Sequence, residues 1–198
     1  MVVRMVAVVI AHSLLKQGHT IDVRLVDRSA MLHDICKIDA IRNGGDHALM
    51  GEMFLMECGY TDVADIVGQH VRLKSLDLNE AMVVNYADKR VKHDKVVSLP
   101  ERFVDLMNRY GTDEVRQNRI LGHYLDVVKI EKIVMSSCSI DESMLDNLNL
   151  IPGDYPFYGG EGLLRDHRPV ESQDKDIDFE RINQDQPVLV DKGNLFRR

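Results

Sequence analysis

The sequence has few cysteines, no paired cysteine motif and no excess of basic residues. Its three cysteines, Cys36, Cys58 and Cys138, are odd in number and lack CxxC spacing. This indicates reduced thiols in a cytoplasmic protein rather than a disulfide framework. The 25 lysines and arginines are outnumbered by 32 aspartates and glutamates, which gives a net charge of −7. A general nucleic-acid-binding surface requires the opposite balance, so we expect none.

The chain also lacks a long apolar run and internal repeats. Residues 1–11 are apolar except for Arg4, but this stretch is too short to span a membrane. It has no cleavage-site pattern and continues into an amphipathic helix, which argues against a signal peptide. We therefore expect no membrane association. The 198 residues are enough for one domain with a substantial core.

Helical patterns fill most of the sequence up to Asn149 and predict an all-α fold. Apolar residues recur at helical spacing, and glycine-containing segments such as 43–45 separate the patterns. The predicted helices cover residues 3–17, 22–36, 47–57, 62–70, 78–97, 98–110 and 113–136, with a short helix after Ser139. Their predicted N-caps include Asp22, Thr61, Ser98 and Ser139, the last two in capping boxes with Glu101 and Glu142.

The pattern changes after Asn149, where prolines and glycines interrupt any periodicity and residues 171–186 are strongly polar. We therefore divide the chain into a helical domain, 1–148, and an irregular C-terminal extension, 149–198. Two interpretations of the extension stay open. It is either loosely ordered, or a segment that docks on its own domain or on a neighbour through Tyr155, Phe157 and Tyr158.

An adjacent histidine and aspartate, His33 and Asp34, lie in the C-terminal part of the second predicted helix. A capping role explains Asp34 poorly, because its charge opposes the helix dipole at a C-terminus. A divalent metal that activates water binds this mixture of imidazole and carboxylate. His47, His70 and Asp88 follow on predicted helices, and Asp88 lies mid-helix, where aspartate has a poor propensity. The pair His33 and Asp34 therefore indicates a metal site, to which the other three residues are candidate additions.

Each of these residues also has an ordinary structural interpretation. His47 or His70 alone would more often be a capping or packed histidine, and Asp88 could lie on a solvated helix face. Lys37, three residues after Asp34, could be a solvated lysine at a helix end. The residues by themselves leave these alternatives open.

The segment Leu32-His33-Asp34-Ile35-Cys36-Lys37 resembles the signature of the HD superfamily of metal-dependent phosphohydrolases, with Cys36 where a small residue usually stands. Tyr86-Ala87-Asp88-Lys89 resembles the segment that carries the last metal-binding aspartate of that family. The resemblance covers roughly residues 3–147. It is greatest to a branch found appended to nucleotidyltransferases of the molybdenum-cofactor type.

The resemblance implies an HD-domain helical bundle with one or two divalent ions, and iron, manganese, magnesium, zinc or nickel all suit such a site. His33, Asp34 and Asp88 would hold the principal ion, and His47 and His70 the second. Asp34 would bridge the two ions and belong to the catalytic residues, because the nucleophile in such sites is a metal-activated hydroxide.

The implied substrate is a small phosphate ester or a nucleotide. The resemblance gives Lys37 a catalytic role in neutralising the substrate phosphate. Arg72 and Lys92 lead a group of cations just beyond His70 and Asp88. The group is either an ordinary solvated face or a binding site for an anionic ligand in this acidic chain. The sequence does not identify the substrate and leaves homo-oligomer formation open.

The sequence departs from the HD pattern at its N-terminus. HD proteins carry an earlier metal-binding histidine on the first helix, which predicts a histidine near Val2, yet residues 1–11 contain no His, Asp or Glu. His12 lies about 15 Å further along the helix and about 80° around it. Either the ligand is lost or the domain is incomplete at its N-terminal end. A lost ligand favours a second hypothesis, a catalytically impaired HD module that binds a nucleotide or partner protein without turnover.

Overall fold

The structure, a computed structural model, describes residues 2–150. These residues form helices joined by short turns, with one two-stranded hairpin, which confirms the predicted all-α fold. In chain order the elements are α1 (Val2–Lys16), α2 (Val23–Leu32), α3 (Lys37–Asn43), α4 (His47–Glu57), α5 (Thr61–Gln69), α6 (Glu80–Lys89), β1 (Val91–Lys92), β2 (Lys95–Val96), α7 (Leu99–Tyr110), α8 (Glu114–Ser137), α9 (Glu142–Asp146) and a 3-10 turn (Asn147–Leu150).

The core forms around α1 and α6, which pack against each other and against α2. Val6, Ile10 and Leu14 of α1 are fully buried, as expected for a helix that is apolar on several sides. In α6 every residue from Ala81 to Ala87 is buried. Because a helix enclosed on all sides is held firmly, α6 provides a rigid support for Asp88 near its end.

The second predicted helix ends four residues earlier than expected. Asp22 caps α2 as predicted, accepting hydrogen bonds from the backbone N–H groups of Arg24 and Leu25 at 2.8 and 3.1 Å. The helix stops at Leu32, however, and residues 33–36 form a turn before the unpredicted α3. His33 and Asp34 therefore lie on a tight turn rather than within a helix, where their side chains can face other elements.

The prediction of one helix over residues 78–97 was wrong in its second half. The chain leaves α6 after Lys89 and forms an antiparallel hairpin in which Val91 pairs with Val96. His93 at the turn adopts a positive φ of 57°, a conformation that histidine tolerates better than most residues. The β-branched valines favour the paired strands over a helix, and the hairpin covers one end of the core.

Two predicted caps were also wrong. The N-cap of α9 is Asp141, which accepts from the backbone N–H of Met144 at 2.9 Å, while Ser139 bonds to Ser13 across the core. At α5 the N-cap position is Tyr60, without a side-chain hydrogen bond. In contrast, Ser98 caps α7 as predicted, accepting from the backbone N–H of Glu101 at 3.3 Å.

None of the helices between residues 2 and 150 is long and apolar enough to cross a membrane. The longest of them, α8, has 24 residues but buries only Val127, Ile130 and Val134, in agreement with a helix on the outside of a bundle. Nearly all of the expected extension, 149–198, with its proposed docking residues Tyr155, Phe157 and Tyr158, lies outside the described residues.

Candidate metal centre

Five side chains predicted as metal ligands converge in the structure, and we call them the His–Asp cluster: His33, Asp34, His47, His70 and Asp88. They come from the turn after α2, the first residue of α4, the residue that follows α5, and α6. The Nε2 atom of His33 lies 3.6 Å from Asp88 Oδ1, although the two residues are far apart in sequence. The packing of four separate segments thus brings all five side chains together.

Asp34 stands at the centre of the cluster, and its two carboxylate oxygens face different partners. Oδ1 lies 3.4 Å from His47 Nε2 and 3.7 Å from His70 Nε2. Oδ2 lies 3.4 Å from His33 Nε2. The cluster therefore consists of two groups that share one carboxylate, with Asp88 completing the group around His33.

Two of the imidazoles are oriented by backbone carbonyls. His33 Nδ1 donates to Ala30 O at 2.7 Å, and His70 Nδ1 donates to Val67 O at 2.6 Å. In a neutral imidazole whose Nδ1 carries the proton, Nε2 is bare, which is the tautomer that a metal ligand needs. Both Nε2 atoms face Asp34, so the local backbone prepares these rings for coordination.

Asp34, His47 and His70 have the donor set and spacing of a possible metal site. Each offers one ligand atom, and the three atoms lie within 4.8 Å of one another. The Nε2 atoms of His47 and His70 approach to 3.0 Å. Nitrogen and carboxylate oxygen together suit the first-row divalent ions. These three residues can therefore bind a metal ion.

The charges within the cluster shift the pKa values of its members. Burial alone would lower the pKa of His33, but the carboxylates of Asp34 and Asp88 raise it to about 9. Despite burial, the neighbouring cations hold the pKa of both carboxyl groups far below the usual range. Burial lowers the pKa of His47. The carboxylates and His47 are thus already in ligand form near pH 7, whereas His33 has to release a proton.

Two lysines neutralise the carboxylates of the cluster. Lys37 Nζ lies 2.6 Å from Asp34 Oδ2, with its side chain 48% exposed. Lys89 Nζ lies 2.6 Å from Asp88 Oδ2, is only 5% exposed, and also donates to the carbonyl of His70. Lys37 thus lies where the sequence predicts it, and its role toward phosphate stays a prediction. Sequence reasoning assigned Lys89 no role of its own beyond the group of cations that follows His70 and Asp88, although it directly follows Asp88.

The two further cations predicted to bind substrate lie in different places. Arg72 follows His70 by two residues and lines a cavity between α6 and α8. Lys92 lies on β1, where its Nζ is 3.5 Å from Glu101 Oε1 of α7. Lys92 therefore contacts α7 rather than the His–Asp cluster. Its role in substrate binding stays a prediction.

Sequence reasoning missed Asn85, which supports the cluster from behind. Its Nδ2 donates to the carbonyls of Gln69 and His70, both at 3.0 Å, and the residue is 1% exposed. These two bonds hold the backbone at the end of α5, the segment from which the His70 side chain extends toward Asp34. A polar side chain in the apolar run 81–87, one helical turn before Asp88, is the signal that could have identified it.

Comparisons of the chain with protein-family models, with curated proteins and with solved structures found no match. The resemblance to the HD superfamily therefore depends on the two motifs and on the spacing of the histidines. The geometry of the His–Asp cluster is independent of that resemblance. This geometry supports a possible metal-binding site.

Proposed function

We propose that the chain is a metal-dependent phosphohydrolase that acts on a phosphate ester or a nucleotide. The observation that carries the proposal is the position of Asp34, whose two oxygens face His33 on one side and the pair His47 and His70 on the other. A carboxylate shared by two histidine groups is the arrangement expected of a bridging ligand in a two-metal hydrolase.

In this proposal the five residues divide into two ligand groups. His33, Asp34 and Asp88 would hold the principal ion, and Asp34 with His47 and His70 would hold a second. Iron, manganese, magnesium, zinc and nickel are all compatible with this mixture of imidazole and carboxylate. When bound, such ions lower the pKa of water and supply hydroxide at neutral pH for in-line attack on phosphorus.

Asp34 and Lys37 are the catalytic residues of the proposal. Asp34 holds the two ligand groups in register, so the chain requires no covalent nucleophile of its own. The ammonium group of Lys37 is half-exposed beside Asp34, within reach of a phosphate that approaches from solvent. A cation in this position stabilises the charge that develops on the phosphoryl oxygens.

The proposed setting is cytoplasmic, with a small phosphorylated molecule as substrate. Cys36, Cys58 and Cys138 are all free thiols in the structure, which agrees with a reducing compartment. Neither nucleic acid nor a membrane is part of the proposal, and a homo-oligomer is compatible with it.

One observation favours a second candidate, an HD module that binds a nucleotide or a partner protein without turnover. Residues 2–11 of α1 contain no His, Asp or Glu, so this segment adds no ligand to the group of His33, Asp34 and Asp88. Loss of one imidazole weakens a metal site appreciably, since even the loss of an outer hydrogen bond to a ligand costs about 10–100-fold in affinity. Weak metal binding would limit turnover.

The experiment combines elemental analysis of the purified chain with a panel of phosphatase and nucleotide substrates in added Mn²⁺. We expect hydrolysis by the native chain and none by Asp34→Ala, with the helical circular-dichroism spectrum retained. Asp39→Ala, which removes an exposed carboxylate from the neighbouring α3, is the matched control and should keep its activity. Nucleotide binding without turnover would favour the second candidate. Unchanged turnover in Asp34→Ala, with metal still bound, would contradict the proposed mechanism.

A further inference from the structure

A cavity of about 500 Å³ lies beside the His–Asp cluster, between the segment that follows His70, helix α6 and helix α8. Its volume falls in the range of about 300–1,000 Å³ that is typical of small-molecule sites. The residues that give it its chemical character are Arg72, Asn85, Arg119, Gly122, His123 and Asp126. The cavity shares a boundary with the cluster, because Asn85 lines it and also bonds to the carbonyl of His70.

Two arginines give the cavity a positive charge that its one lining carboxylate offsets only in part. Arg72 and Arg119 come from different elements, and within residues 2–150 neither forms an ion pair. Lys74 also lines the cavity, but Asp65 holds its ammonium group at 2.6 Å. Among the described residues that line the cavity, the one carboxylate is Asp126, which lies 2.9 Å from a lysine of its own helix and also interacts electrostatically with Arg72.

A buried acceptor without a donor adds a second polar feature. Asn85 directs both of its Nδ2 bonds to the backbone carbonyls at the end of α5, which fixes the orientation of its amide. Its Oδ1 is buried and, within the described part of the chain, receives no hydrogen bond. An unsatisfied buried acceptor is costly, and a hydroxyl or amine group of a ligand would satisfy it.

His123 reports the positive potential inside the cavity. Burial, followed by the positive charges of Lys89 and Arg72, lowers the pKa of His123 to about 4. The imidazole is therefore neutral near pH 7, although carboxylates also lie close to it. An environment that disfavours one more cation favours an anion.

We propose that this cavity binds a second phosphate group of the substrate, apart from the phosphate at the His–Asp cluster, through Arg72 and Arg119. The proposal rests on the proposed function, and it narrows the substrate class to molecules that carry two phosphate groups and a hydroxyl or amine between them. The planar guanidinium group presents paired N–H donors that match two phosphate oxygens. Two arginines on separate elements can donate hydrogen bonds to one phosphate group from two sides.

The test is calorimetric titration of the full chain, treated with a chelator, with inorganic pyrophosphate. Removing the metal prevents hydrolysis during the titration, and the comparison with the variants isolates the part of the binding that the arginines provide. We expect Arg119→Gln to weaken pyrophosphate binding by about tenfold or more, since a charge-assisted hydrogen bond is worth about 1.5–3 kcal/mol. Arg116→Gln on the same helix, where Arg116 contacts Asp113 in solvent, is the matched control and should bind normally.

A second variant fills the cavity without removing a charge. A Cβ atom added at Gly122 meets no atom within 4 Å, so Gly122→Leu can extend into the empty space. Leucine is also the better helix former by roughly 0.5–1 kcal/mol, so the melting temperature should not fall. We expect this variant to lose pyrophosphate binding as Arg119→Gln does.

The outcomes separate the two proposals. If the native chain binds pyrophosphate no more tightly than either variant, the phosphate cavity is disproved, whatever the chain hydrolyses. If both variants lose binding while no phosphate ester is turned over, the cavity stands and the phosphohydrolase proposal fails.

Discussion

At the scale of single residues, the cluster and its surroundings depend on which side chains hold protons. Two carboxylates raise the pKa of His33 to about 9. In contrast, the pKa of His123, which lines the neighbouring cavity, is lowered to about 4. The two histidines are buried to similar degrees, so the charges around them account for the difference. Carboxylates dominate at the cluster and cations in the cavity, a separation of charge that suits the metal ion proposed for the cluster and the anion proposed for the cavity.

His123 makes a prediction about stability and pH. The unfolded chain takes up a proton on this imidazole near pH 6.5, while the folded chain resists protonation until about pH 4. Protons therefore favour unfolding in this window, and the free energy of unfolding falls as the pH falls from 6.5 to 4. We expect a loss on the order of 1–2 kcal/mol, since solvent screens a partly exposed ring.

The measurement is urea denaturation at pH 6.5 and pH 4.5, compared between the native chain and His123→Phe. Phenylalanine keeps an aromatic ring against Phe103, whose ring centroid lies 5.5 Å from that of His123. The variant should show a smaller loss of stability over this range. An equal loss in both proteins would mean that other groups, such as Asp88 or Asp126, determine the pH dependence.

At the scale of secondary-structure elements, the cluster depends on where helices begin and end. His33 follows α2, His47 begins α4, and His70 follows α5. A side chain at a helix end can turn toward a neighbouring element, whereas one in the middle of a surface helix is confined to its own face. The caps that set these ends therefore also set the positions of the ligands.

Asp46 provides a test of this dependence. It caps α4 and accepts hydrogen bonds from the backbone N–H groups of Ala48 and Leu49, directly beside His47. We expect Asp46→Ala to cost about 1 kcal/mol in stability and to weaken the binding of Mn²⁺, because the first turn that holds His47 frays. The measurement is the melting temperature together with a Mn²⁺ titration.

Asp113→Ala is the matched control for Asp46→Ala. Asp113 caps α8 in the same way, accepting from the backbone N–H of Arg116 at 2.9 Å, but that cap holds no residue of the cluster. This variant should lower the melting temperature and leave Mn²⁺ binding unchanged. Equal loss of Mn²⁺ affinity in the two variants would show that general stability, and not the position of His47, controls the site.

Local patterns predicted the elements well where the signal lies in a few adjacent residues. The bounds of α4 agree with the prediction, and Asp22 and Ser98 cap their helices as expected. The hairpin after α6 was missed because each of its strands has only two residues, too few for the strand propensity of Val91 and Val96 to stand out. The choice between helix and strand depends on the packing of this segment against α7 and the core, which periodicity does not contain.

At the scale of the whole molecule, the site forms where α2, α4, α5 and α6 meet. The sequence predicted the members of the His–Asp cluster because His33 and Asp34 form a recognisable pair and Asp88 lies in a motif of its own. It did not predict the cavity, since Asn85 and Arg119 become neighbours only when α8 packs on α6. Contacts of that range depend on tertiary structure, and no local pattern specifies them.

The same packing makes the proposed metal centre a link between distant parts of the chain. Four segments supply its side chains, and the buried helix α6 holds one of them in place. A metal that binds only the folded chain would stabilise the whole bundle by mass action. The central claim is therefore that one point in this bundle, at Asp34, holds a divalent ion.

The most direct measurement is an anomalous difference map from crystals of the full chain grown with Mn²⁺. The account predicts one peak within coordination distance of Asp34, His47 and His70, and another within coordination distance of His33, Asp34 and Asp88. Crystals of Asp34→Ala should lack both peaks. A map from the native chain with no peak at Asp34, while Mn²⁺ is bound elsewhere on the protein, would contradict the account.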